Sequence, residues 1–171
     1  MKKAFFALAM ILSALPISIY ASITPAIAQR ISIKSYNYPN QYIRHRNGIG
    51  EISDISSVLD RADATFIQKP GLASASCASF ESSNFPGLFL RHSFGQIVLN
   101  INDSSDLFRN DATFCFKPGL ANSSNSLSFE SYNFPTYYIR HKYGKLYIDR
   151  FDSDPLFLKD ATFNIVAPLN P

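Results

Sequence analysis

Beyond residue 30 the chain is a succession of short runs in which Ile, Phe, Tyr, Leu and Thr alternate with polar residues. Turn signals interrupt them: Asn-Phe-Pro, Asn47-Gly48, Phe94-Gly95, Tyr143-Gly144 and Asp-Ser. Alternation with period two between such breaks predicts half-buried β-strands, and no segment keeps an apolar 3.6-residue period over three turns. The pattern therefore predicts an all-β chain.

The strands come in repeating sets. Ser35-Tyr36-Asn37-Tyr38-Pro39 recurs as Ser82-Ser83-Asn84-Phe85-Pro86 and as Ser131-Tyr132-Asn133-Phe134-Pro135. Each copy leads into a strand ending in Arg-His, at Arg44-His45, Arg91-His92 and Arg140-His141. Each then reaches Asp-Ala-Thr-Phe, beginning at Asp63, Asp111 and Asp160, and two copies run on into Lys-Pro-Gly-Leu. The histidines lie 47 and 49 residues apart and the aspartates 48 and 49. Three copies, at about 31–73, 74–121 and 122–167, with about four strands each, give about twelve strands. Three blades are too few for a propeller, whereas a six-stranded barrel closed by three hairpins uses three such copies and leaves no open edge. The expected fold is a β-trefoil with pseudo-threefold symmetry, a single domain over 29–171.

The first 28 residues differ. Lys2 and Lys3 precede an apolar run from Ala4 to Leu15, then Pro16 and small residues ending Ala26-Ile27-Ala28. This is the pattern of a cleaved signal peptide; Pro16 cuts the run below the roughly 18 apolar residues of a membrane anchor. The expected location is outside the cell or in a periplasm, with no membrane attachment after cleavage. Lys2 and Lys3 are two of the 16 basic residues, and without them 14 stand against 13 acidic ones. So small a net charge is no electrostatic footprint for nucleic acid. In an oxidising compartment the two cysteines, Cys77 and Cys115, are expected to form one disulfide.

All three histidines of the chain occupy the same repeat position, each 18 or 19 residues before the motif aspartate. A neutral imidazole supplies one donor and one acceptor, and a carboxylate supplies acceptors, which together suit the adjacent hydroxyls of a neutral sugar. Tyr36, Tyr38, Phe85, Phe94, Tyr132, Phe134 and Tyr143 lie in or beside turns, where exposed rings could stack on sugars. The same recurrence also fits a scaffold in which each His is bonded to the Asp of its own repeat. The three arginines read either as solvent-facing strand residues or as partners of nearby acids.

The triplicated motif, over about residues 31–166, resembles the arabinose-binding domain of α-L-arabinofuranosidase B, carbohydrate-binding module family 42. The resemblance implies a β-trefoil with up to three shallow pockets for arabinofuranosyl side chains of arabinoxylan or arabinan. It also implies that His45 with Asp63, His92 with Asp111, and His141 with Asp160 contact the sugar. Repeat one has one residue fewer between His and Asp, and repeat two has Ser83 where the others have Tyr36 and Tyr132.

A glycosidase needs two carboxylates flanking one bond, whereas these acids come in threefold-equivalent sets. A secreted inhibitor would rely on one distinctive loop rather than a signature repeated three times. The expected function is therefore binding without catalysis, by a monomer using no cofactor and no metal, with an arabinose-branched polysaccharide as partner. Glycoside hydrolysis and protein binding are the alternatives.

Overall fold

A computed structural model describes residues 29–171; the expected signal segment, 1–28, lies outside the described residues. Among the described residues no helix is long and apolar enough to cross a membrane. Twelve strands and three short helices follow one another in three equivalent sets. The first set is β1 (Gln29–Ser35), β2 (Gln41–Arg46), β3 (Ile49–Asp54), α1 (Val58–Asp63) and β4 (Thr65–Pro70). The second is β5 (Ala78–Ser82), β6 (Leu88–Ser93), β7 (Gln96–Ile101), α2 (Asp106–Asp111) and β8 (Phe114–Pro118). The third is β9 (Leu127–Ser131), β10 (Tyr137–Lys142), β11 (Lys145–Arg150), α3 (Pro155–Asp160) and β12 (Phe163–Val166).

Antiparallel pairings run β1 to β4, β5, β8, β9, β12 and back to β1, closing a six-stranded barrel. The hairpins β2–β3, β6–β7 and β10–β11 cap it, and β3, β7 and β11 pair with one another around the pseudo-threefold axis. This is the β-trefoil that the triple repeat predicts.

The motif residues divide the labour of the core. Phe66, Phe114 and Phe163, which end the Asp-Ala-Thr-Phe copies, are fully buried with Ile33, Phe80 and Phe129 from β1, β5 and β9. Burying each such side chain contributes roughly 1.5–3 kcal/mol. The motif alanines are buried too, and the carbonyls of Ala64, Ala112 and Ala161 accept from the hydroxyls of Ser32, Ser79 and Ser128. Thr65, Thr113 and Thr162 bond back to helix carbonyls four residues earlier. The chain's last residues close the ring: the Leu169 and Asn170 amides donate to Ser32 and Thr65 of the first repeat. Cys77 and Cys115 form a disulfide between the start of β5 and β8.

The helices are a finding that the period-based reading lacks. Six residues make too few turns to display a period, yet each helix has a capping signal. Ser57 caps α1 in a capping box with Asp60, Ser105 caps α2, and Asp154 caps α3 ahead of Pro155. Each helix ends on the motif aspartate, which fixes where that carboxylate sits.

Candidate functional site

Each motif aspartate, as the last residue of its helix, faces the histidine near the end of the preceding hairpin strand. The Nε2 to Oδ1 separation is 3.7 Å for His45 and Asp63, 3.3 Å for His92 and Asp111, and 3.5 Å for His141 and Asp160. All six residues are buried at the floors of three cavities. The chain thus brings together each of the pairs expected from the sequence. The missing residue of repeat one falls in the loop between β3 and α1, which has three residues where the others have four, so the His–Asp meeting survives.

A third residue, from the next repeat, links each pair. Asn84 Nδ2 donates to Asp63 Oδ1 at 2.8 Å, and its Oδ1 lies 3.1 Å from His45 Nε2. Asn133 does the same for Asp111 and His92 at 2.7 and 2.8 Å. Asn37, from the first repeat, serves Asp160 and His141 at 2.8 and 2.8 Å. A carboxylate only accepts, so the amide nitrogen must face it and the amide oxygen must face the imidazole. Nε2 therefore carries the proton, and Nδ1 of the neutral ring is an acceptor. The Asn of the Ser-x-Asn-[Tyr/Phe]-Pro motif was legible as a repeat but not as a site residue, because its partners lie in the neighbouring copy.

The other carboxylate oxygen is held by the strand arginine. Arg44, Arg91 and Arg140 donate through Nη2 to Oδ2 of Asp63, Asp111 and Asp160 at 2.7, 2.8 and 3.2 Å. The arginines are thus partners of acids, not solvent-facing. Repeat one departs from the others here. Arg44 takes its second acid, Asp60, from the helix and its side chain is only 2% exposed, against 17% for Arg91 and 15% for Arg140, whose second acid is the more exposed Asp149 of β11. Phe108 and Phe157 occupy the position of Asp60, with the guanidinium carbon 5.4 and 5.2 Å from their ring centres. The Ser56 amide and hydroxyl, with Arg44, hold the Asp60 carboxyl far below the usual carboxylate range. Burial pushes the pKa of His45 and of His141 down, which favours the neutral ring.

The walls are apolar. Phe85, Phe134 and Tyr38, again from the following repeat, stand edge-on to His45, His92 and His141 with ring centres 5.5, 5.3 and 5.2 Å apart. Leu59, Leu107 and Leu156, exposed on the helices, form the opposite side, and the hairpin tips at 47, 94 and 143 stand at the mouths. The cavities measure about 540, 490 and 750 Å³ for repeats one, two and three. All seven ring residues expected beside turns are exposed. Tyr36, Ser83 and Tyr132 do not line these cavities; the ring two residues later does, so Ser83 removes nothing from the first pocket, which Phe85 walls.

Each of the three open pockets is thus floored by a fixed carboxylate and an imidazole and has aromatic and leucine side chains in its walls, a concave form with a few convergent polar groups that suits a small ligand. Residues 31–165 match the family model of the alpha-L-arabinofuranosidase B domain, and the chain belongs to that family. A probable alpha-L-arabinofuranosidase B of Aspergillus clavatus is 42% identical over 57 residues, 33% of this chain and 11% of that protein. The alpha-L-arabinofuranosidase B of Aspergillus niger is 33% identical over 90 residues, 51% of this chain and 18% of that protein. The matched segments thus span less than a fifth of these relatives. An arabinofuranosidase crystallised with arabinofuranosyl-alpha-1,2-xylobiose superposes with a TM-score of 0.79 at 30% identity, covering 85% of this chain and 32% of that one. A ricin B-like lectin of Macrolepiota procera in complex with lactose superposes at 0.62 and 12% identity, over 84% of this chain and 98% of the lectin, and shares the fold.

Proposed function

We propose that this chain is an exported carbohydrate-binding module that holds α-L-arabinofuranosyl branches of arabinoxylan or arabinan, one per pocket, and does not cleave them. The observation that carries this reading is the floor constellation, built three times over. Each aspartate has one oxygen held by arginine and one by asparagine, so it is an oriented acceptor for a sugar hydroxyl. Each imidazole has its Nε2–H committed to asparagine, so in the neutral ring, which burial favours for His45 and His141, Nδ1 is the acceptor it can offer. The rings and leucines of the wall suit the apolar face of a furanose. Family membership and the 30% identity to an arabinofuranosidase seen with an arabinofuranosyl ligand point to the same sugar.

Hydrolysis would require two carboxylates about 5–9.5 Å apart across one bond, in most cases with one of them protonated. In the first pocket Asp60 and Asp63 are both held by Arg44, and in the third Asp160, which shares the lining with Asp54, is held by Arg140 and Asn37. Asp60 is moreover kept ionised, which is the wrong state for a general acid. Three modest sites on a single module suit a branched polymer, because avidity multiplies weak contacts by about 10²-fold or more.

Isothermal titration against arabinoxylan and against debranched xylan tests the reading, with the Asp111→Asn/Asp160→Asn double variant alongside and circular dichroism to confirm its fold. Binding that requires both the branches and the two aspartates is the expected result. A folded wild-type protein that binds neither polymer would overturn it.

A further inference from the structure

Two of the three hairpin tips carry a large ring where it is costly to keep one. Phe94 and Tyr143 are essentially fully exposed and have φ of 50° and 51°, in the left-handed region that bulky residues avoid. The glycines after them also have positive φ, which makes each tip a two-residue type I′ turn. Repeat one builds the same turn from Asn47-Gly48, with φ of 53° and 76°, the pair that such a turn prefers. The fold therefore has an unstrained solution, and repeats two and three depart from it in the same way. An outlier of that kind is a sign of use rather than of stability.

The position of the tips says what the use would be. The Gly95 carbonyl accepts from the Ile148 amide at 2.8 Å, and the Gly144 carbonyl accepts from the Ile52 amide at 2.9 Å. Each tip is thereby pinned to the next repeat and presents its ring from a fixed backbone. Phe94 stands at the mouth of the cavity floored by His92 and Asp111, and Tyr143 at that of His141 and Asp160. On its other side Tyr143 lines a second cavity of about 270 Å³ with Lys142, Tyr147 and Asp149, which offer polar partners beyond the ring. A sugar seated on the floor and joined to another sugar would have that second ring pass over the tip.

Resting on the reading of the pockets as arabinofuranose sites, we propose that Phe94 and Tyr143 are stacking platforms for the main-chain sugar to which the branch is attached. Repeats two and three then recognise branch and backbone together, whereas repeat one, with Asn47, recognises the branch alone.

The test replaces the tips with the turn that the protein already uses, Phe94→Asn and Tyr143→Asn together, so that the fold is preserved. Wild type and variant are titrated by NMR with methyl α-L-arabinofuranoside and with an arabinofuranosyl-substituted xylo-oligosaccharide. The wild-type protein is expected to prefer the oligosaccharide by about three- to tenfold, and the variant to bind the two ligands equally. A preference that survives in the variant, or a wild type that binds both ligands equally, overturns the platform and leaves the arabinose reading standing. A wild type that binds neither ligand overturns both.

Discussion

Asn37 and Asp160 are separated by 123 residues, yet the amide nitrogen of the first donates to the carboxylate of the second at 2.8 Å. The third pocket is completed by the beginning of the chain. Asn84 and Asn133 make the corresponding contacts one repeat forward, so no pocket belongs to a single copy.

Substitution of an asparagine should therefore damage the pocket of the preceding copy. Asn133→Ala is expected to weaken sugar binding at His92 and Asp111 while leaving the His141 pocket of its own repeat intact, and to cost roughly 1–3 kcal/mol of stability. Chemical-shift perturbation of the three imidazoles during an arabinofuranoside titration distinguishes the sites. Loss at His141 instead of His92 would contradict the hand-over.

The arginines should not be equivalent. Arg44 is the most deeply buried and both its acids are buried or nearly so, whereas Arg140 pairs with buried Asp160 and the more exposed Asp149; Arg44→Ala is therefore expected to cost roughly 3–5 kcal/mol. Arg91 and Arg140 are more exposed, and their alanine variants should lose distinctly less. Urea unfolding of the three variants, compared at constant m-value, gives the ranking.

Stability should fall in mild acid. Burial lowers the pKa of His45 and of His141 from the ordinary imidazole value of 6.5. Below 6.5 the unfolded chain takes up protons that these two rings refuse in the folded state. The unfolded state then binds more protons, so stability is fully present above that pH and declines as pH drops towards the folded pKa values. Thermal melts between pH 8 and pH 5 should show the decline, and the two imidazoles should titrate below 6.5 by NMR. Titration of either ring above 6.5 would reverse the sign.

The disulfide closes a loop over a sequence separation of 38 residues. A Cys77→Ser/Cys115→Ser variant is expected to lose roughly 3–4 kcal/mol in the chain-entropy account while keeping the three proposed sites, because neither cysteine lines the three cavities. Parallel denaturation and binding curves separate the two effects.

The triple repeat made the barrel, the hairpin caps and the six pocket residues readable in advance, because each motif position keeps one structural task in all copies. His45 could be paired with Asp63 on recurrence alone. Its bond to Asn84 could not, since that contact exists only once the ring of copies has closed and follows from topology rather than from local pattern. The burial of Arg44 was hidden for a related reason: the helix that covers it is six residues long and has no period to detect. Leu59, Leu107 and Leu156 were masked likewise, in apolar runs of only two or three residues that are too short to show a period.

Forward donation also constrains how many sites a given number of copies can have. An open row of three repeats would complete only two pockets, and a single repeat none. A closed ring completes as many as it has members, wherever the chain happens to start. A circularly permuted chain cut between repeats should thus retain all three sites, and one repeat expressed by itself could acquire them only by assembling as a trimer. In this architecture a complete pocket is a property of closure, and it would have arisen together with the ring.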